Sequence, residues 1–160
     1  MISNFTGKPT GFSLLELLLV MAVLMILAVA GRQLFLSYTA SGAVDDVAQE
    51  LKSEITIAHN KAIAGAYGVN WGIRAVQPDS GQSYYQLFYS PGDFAHPSTT
   101  IVNQVYLPIQ ISFSNPLSGT EKEINFTAYG GTTTATNVIF VAAGTSRQVT
   151  VATSGVIEIL

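Results

Sequence analysis

From Leu17 to Ala30 the chain reads LLLVMAVLMILAVA, fourteen consecutive apolar residues with no polar face. Counted from Phe12 the stretch is nineteen residues, interrupted only by Ser13 and Glu16. As a helix rising about 1.5 Å per residue it would be about 28 Å long, close to a hydrocarbon core of about 30 Å. A helix that is apolar all round is a poor surface element for a small domain. A secretory signal peptide competes, because Ala28-Val29-Ala30 before Gly31 has small-x-small spacing. The leader carries only Lys8, however, and the carboxylate of Glu16 sits at the front of the apolar run. The pattern favours a retained membrane helix over residues 12–30.

Beyond Gly31 the periodicity changes. Val44, Val47, Ala48, Leu51, Ile55, Ala58 and Ala62 recur at steps of three and four, while Asp45, Asp46, Glu50, Glu54 and Lys61 lie off that stripe. This is the signature of an amphipathic helix that packs on a core. The reading is one continuous but bent helix from Phe12 to about Ala64. Ser41-Gly42 is its candidate kink, and Gly65 and Gly68 end it. From Tyr67 the period becomes two. Val69, Trp71, Ile73 and Ala75 alternate with Asn70, Gly72 and Arg74, as in a half-buried strand. Seven further strands are predicted: Tyr84–Tyr89, Val102–Leu107, Ile109–Phe113, Ile124–Tyr129, Val138–Ala142, Gln148–Val151 and Val156–Ile159. Turn signals such as Pro78-Asp79-Ser80-Gly81 and Pro91-Gly92 separate them. Short strands with such punctuation argue for antiparallel sheet. The fold class is therefore α+β, with a long N-terminal helix, membrane-spanning and then amphipathic, packed on a β domain. The expected segments are a leader at 1–11, the membrane helix at 12–30, the amphipathic continuation at 31–66 and the β domain at 67–160.

Composition sharpens this. The 160 residues give room for one domain plus an anchor. Charged residues are 11% of the chain, and with no cysteine there is no disulfide, thiol chemistry or thiolate metal site. A net charge of −3 argues against general affinity for nucleic acid or anionic lipid. Catalytic motifs are missing: there is no phosphate-binding glycine loop, no H-E-x-x-H and no nucleophile elbow. Asp93 and His96 in a proline-containing loop read as loop polarity, and His59 as a solvated helical residue. Tyr84, Tyr85, Phe88 and Tyr89 at strand spacing read as sheet packing. No enzyme activity, cofactor or metal is expected.

Glu16 is the informative residue. A carboxylate in an apolar membrane segment costs roughly 2.5–3.5 kcal/mol on insertion scales and marks a functional hypothesis. Gly11-Phe12-Ser13-Leu14-Leu15-Glu16, followed by the apolar run, resembles the N-terminal motif of type IV prepilins. The resemblance implies that a prepilin peptidase cuts between Gly11 and Phe12 on the cytoplasmic side, and that the new amine of Phe12 is methylated. It makes Glu16 the fifth mature residue, where it pairs with the N-terminal amine of a neighbouring subunit during assembly. Two buried opposite charges are tolerable when paired, and the pair fixes register between helices. Looser similarity links the chain to the FimT/GspH group of minor pilins and pseudopilins. It rests on Ile57-Ala58-His59-Asn60-Lys61-Ala62-Ile63 before a strand, Ile124-Asn125-Phe126 followed by Gly130-Gly131, and a closing strand pair around Arg147 and Gly155.

The implied protein is a single-pass inner-membrane subunit with its globular domain outside the cytoplasm, later part of a pilus or pseudopilus. Its implied partners are the peptidase, other pilin or pseudopilin subunits, an inner-membrane assembly platform and the lipid bilayer. The leading function is a minor subunit of a type IV pilus. The alternatives are a type II secretion pseudopilin, a DNA-uptake pilin and a secreted β protein with a cleaved signal peptide. DNA is an unfavoured partner, because residues 67–160 carry three basic residues against five acidic ones.

Overall fold

The computed structural model describes residues 13–142 and 144–160, the side chains of 31–38 and 40 excepted. The chain divides into two compact units, Met1–Leu36 and Ser37–Leu160. One helix, α1 (Leu14–Ile63), contributes to both. It is helical through Ser41 and Gly42, so the helix is continuous across the candidate kink.

In the first unit the described side chains from Leu14 to Ala30 are all solvent-exposed. Among the described residues no helix is long and apolar enough to cross a membrane. The segment expected at 12–30 is helical from Leu14 onward and continues into the rest of α1. Phe12, with the 1–11 leader, lies outside the described residues.

The second unit is α+β. The last part of α1 carries the core stripe, and Val44, Val47, Ala48, Leu51, Ile55, Ala58 and Ala62 are all buried. They share one hydrophobic cluster with side chains from two four-stranded antiparallel sheets. The strands are β1 (Asn70–Gln77), β2 (Tyr84–Ser90), β3 (Thr100–Tyr106), β4 (Ser112–Asn115), β5 (Thr120–Phe126), β6 (Thr136–Ala142), β7 (Thr145–Val151) and β8 (Ile157–Ile159). The first sheet is ordered β3-β2-β1-β5 and the second β4-β6-β7-β8. Alternation decides which side chains enter the core. Trp71, Ile73 and Ala75 of β1 face it, as do Tyr85 and Leu87 of β2, Ile124 and Phe126 of β5, Val138 and Phe140 of β6, and Val149 and Val151 of β7. Fully burying one such aliphatic or aromatic side chain contributes about 1.5–3 kcal/mol, so the helix stripe and the sheets stabilise each other.

Strand boundaries differ from the sequence reading at several places, β4 and β5 among them. The strand expected over Ile109–Phe113 begins only at Ser112, because Ile111 donates its N–H to the Pro108 carbonyl in a turn (2.8 Å). The strand expected over Ile124–Tyr129 starts earlier, at Thr120, and stops at Phe126. Tyr129 adopts a left-handed φ of 63° that no strand accommodates.

Candidate functional site

The site proposed from sequence is the start of α1. Gly11 and Phe12 lie outside the described residues, so the geometry begins at Ser13. Ser13 precedes the first helical residue, and its Oγ accepts the N–H of Glu16 at 3.2 Å. The Ser13 carbonyl accepts N–H bonds from Glu16 (3.1 Å) and Leu17 (3.2 Å). Ser13 is thus the N-cap and Glu16 the third helical residue, the S-x-x-E spacing of a capping box with its Ser13 half formed. Sequence reasoning passed over this, although S-x-x-E before an apolar run is its signal. At this position a carboxylate also complements the positive end of the helix dipole, typically by 0.3–1 kcal/mol. Glu16 is therefore compatible with a helix start in a way that a charge in mid-helix would not be.

Around that carboxylate the surface is greasy. Leu14, Leu15, Leu17, Leu18 and Met21 are each more than half exposed. An apolar helical surface of this kind is suited to burial against lipid or other helices. A lone carboxylate on it can form a directional, charge-assisted contact with a cationic group. Chemically, the arrangement is built for association.

Polar contacts along the rest of α1 fasten the second unit. Arg147 Nε lies 2.5 Å from Asp45 Oδ1, and Asn103 Nδ2 donates to Glu54 Oε1 at 3.1 Å. The Lys61 ammonium sits 4.6 Å from the centre of the Trp71 ring. The Tyr85 side chain is buried close to Glu50 and Glu54 of α1. Desolvation, reinforced by the charges of Glu50 and Glu54, holds that phenol well above its ordinary range.

The other sequence candidates fall into place as structural groups. His96 Nδ1 accepts the Ser98 N–H at 3.1 Å, and the His96 N–H bonds the Asp93 carbonyl at 3.3 Å. Among the described residues no cluster of three His, Cys, Asp or Glu could hold a metal. His59 is a correction. It is half-buried rather than solvated, tilted against Phe126 with ring centres 5.0 Å apart. A Cβ on Gly155 would lie 2.1 Å from His59 Nε2, so the glycine makes the slot that the imidazole fills. Tyr85 and Phe88 are buried, Tyr84 packs on Tyr106 at 5.6 Å and Tyr89 on Trp71 at 5.1 Å. These aromatics are sheet packing, as expected.

On the outward face of the first sheet, Arg74 pairs with Glu121 and donates to Gln86 Oε1 at 3.1 Å. Its guanidinium also lies 4.3 Å from the Phe94 ring centre. Beside it, Glu123 accepts the Phe94 N–H at 3.0 Å. Burial pushes the Glu123 carboxyl above its ordinary value, and the Phe94 hydrogen bond opposes that shift only in part.

Comparison with known proteins points to the same end of the chain. The family model described as the prokaryotic N-terminal methylation motif matches residues 8–31. The match supports a type IV pilin-like prepilin or pseudopilin, with peptidase processing, N-terminal methylation and assembly with other such subunits as its implications. No curated protein and no solved structure matches the chain.

Proposed function

We propose that the chain is a membrane-anchored minor subunit of a type IV pilus, made as a prepilin, structural rather than catalytic. The observation that carries this reading is the capped helix start: Ser13 holds Glu16 in the first turn of an otherwise apolar, exposed helix. That turn lies inside the segment matched by the methylation motif. On this reading a prepilin peptidase cuts after Gly11, and the amine of Phe12 becomes the mature terminus and is methylated. The apolar run anchors the subunit in the inner membrane with the β domain outside the cytoplasm, until an assembly platform adds it to the filament. Glu16 meets the amine of a neighbouring Phe12, and that charge pair sets the register between helices. The FimT/GspH subgroup is part of the proposal, supported by the His59-containing segment at the end of α1 and by Ile124-Asn125-Phe126 at the end of β5. The same motif match fits a type II secretion pseudopilin, and the neighbouring genes distinguish the two.

The test is Glu16→Val. Removing the carboxylate makes the helix easier to insert by roughly 2.5–3.5 kcal/mol. The variant should therefore fractionate with membranes yet disappear from sheared filaments and from crosslinked subunit complexes. Normal incorporation would sink the assembly role of Glu16.

A further inference from the structure

Gln77 ends β1 in the first sheet and Ser112 begins β4 in the second, and both line a cleft of about 230 Å³. The turn before β2 adds Gln82 and Ser83 to its wall, and the segment before β4 adds Ile109 and Ile111. Hydrogen bonds brace that wall. Leu107 donates its N–H to the Ser83 carbonyl at 2.9 Å, and Ile111 donates to the Pro108 carbonyl at 2.8 Å. Gln82 Nε2 donates to the Leu107 carbonyl. None of the described residues lining the cleft is charged. Pockets for drug-sized ligands are about 300–1,000 Å³, so this one suits a single small group.

The neighbours of Gln77 orient its amide. Its Oε1 accepts the Phe113 N–H at 2.9 Å and the hydroxyl of buried Ser83 at 2.6 Å. A main-chain N–H can only donate, so the oxygen faces it and the Nε2 group is the part of the amide left for the cleft. Among the described residues neither N–H of that group meets an acceptor. Gln82 is held the opposite way round. Its Nε2 is engaged by Leu107, which leaves Oε1 as an acceptor with no donor among the described residues. Beside the two amides lie Ile111, which is buried, and Ile109, which is 92% exposed at the rim. The cleft thus offers a fixed donor, a fixed acceptor and an apolar surface. A few placed polar groups on an apolar lining are what orient a small ligand.

We propose that this cleft binds a neutral acetamido group, the terminal amide of an N-acetylated amine. The lining matches that group part by part. The acetyl C=O accepts from Gln77 Nε2, the amide N–H donates to Gln82 Oε1, and the methyl lies against Ile109 and Ile111. A carboxylate or an ammonium group would find no counter-charge among these residues and would be desolvated without compensation. The carrier of the acetamido group is an amino sugar or an N-acetylated peptide, which share this chemistry. The site lies wholly within the second unit and does not depend on the function proposed above.

The test follows the side-chain amide resonances of Gln77 and Gln82 by NMR. The full chain is held in micelles of a phosphocholine detergent, which carries no amide and no sugar. It is titrated with N-acetylglucosamine, with N-acetylalanine amide and with glucose. Both acetamides should shift the two resonances saturably, with Kd on the order of 1–10 mM, and the tighter of them names the carrier. Glucose, which lacks the acetamido group, should leave the resonances in place. Gln77→Glu keeps an oxygen for Phe113 and Ser83 and removes the donor, so it should weaken binding read at Gln82 about tenfold. The comparison with glucose uses the natural chain alone, so a folding defect in the variant cannot imitate it. No saturable shift with either acetamide, an equal response to glucose, or undiminished binding by Gln77→Glu would each overturn the proposal.

Discussion

The ring of Tyr129 occupies the space that a side chain at Gly65 would need: a Cβ built there would lie 2.1 Å from Tyr129 Cε1. Gly65 has a left-handed φ of 63°, and the Tyr129 N–H caps the end of α1 by donating to the Ala62 carbonyl at 2.8 Å. The helix end and the loop after β5 are thereby locked together. Gly65→Ala should cost at least about 1–2 kcal/mol from the left-handed backbone alone, and more from the clash. Gly42→Ala should act oppositely. That position is helical with nothing within 4 Å of the added carbon, so alanine should gain about 0.5–1 kcal/mol. Urea unfolding of the full chain in detergent, followed by the fluorescence of the single tryptophan, buried Trp71, reads both signs.

The two stretches of α1 should respond differently to truncation. Leu51 is fully buried, while Leu24 is 58% exposed. Leu51→Ala should cost about 2–5 kcal/mol in the same unfolding measurement, and Leu24→Ala should leave the midpoint unchanged. A large loss at Leu24 would mean that the apolar run belongs to the core.

Much of this was legible in the sequence, for local reasons. The stripe from Val44 to Ala62 was readable because a helix with one buried face repeats its apolar residues at its own period, and every stripe residue is buried. The alternation of β1 was readable for the same reason. Strand pairing was not: β1 lies between β2 and β5, and β5 is about fifty residues away in sequence. Nor did any local signal show that the Gly155 turn makes room for His59. At the candidate site the reverse holds. The Ser13–Glu16 cap is legible as S-x-x-E before an apolar run, a local signal that the insertion cost of the Glu16 charge overshadows.

That cap separates two roles for Glu16. Glu16→Gln keeps a side chain that serves in a capping box but removes the charge. Ser13→Ala removes the cap, at about 1 kcal/mol, and keeps the charge. If the carboxylate pairs with a neighbouring amine, Glu16→Gln should lower incorporation into filaments about tenfold or more, and Ser13→Ala should lower it less. Equal incorporation of Glu16→Gln and the natural chain would remove the assembly role of the Glu16 charge.

Glu123 should give the β domain a small pH dependence. Its folded-state value lies above its ordinary one because burial disfavours the anion. The penalty is therefore absent below the ordinary carboxylate range. It grows as pH rises from that range to the folded value and is constant above it. Glu123→Gln keeps an acceptor for the Phe94 N–H, so it should stabilise slightly at neutral pH and have no effect at acidic pH. Thermal unfolding across that range checks it, and a loss of stability at neutral pH would show that the charge itself is needed.

Duplex DNA should bind weakly. All three cations beyond residue 66 are engaged within the domain. Arg74 pairs with Glu121, Arg147 with Asp45, and Lys122 Nζ donates to Asn137 Oδ1 at 3.1 Å. Phosphate contacts supply nearly all non-specific affinity, so the dissociation constant at physiological salt should be weaker than about 10⁻⁴ M. A micromolar constant in an anisotropy titration, lost with Arg147→Ala, would reverse this reading.

The central claim is that residues 1–11 are a leader removed by a prepilin peptidase, and the mature N-terminus tests it most directly. The full chain is expressed with and without such a peptidase, and the product is read by N-terminal sequencing and intact mass. The account predicts a peptidase-dependent chain that begins at Phe12 and carries a methylated amine, with the cut abolished by Gly11→Val. A mature chain beginning at Gly31, or one that keeps Met1 in the presence of the peptidase, would contradict it.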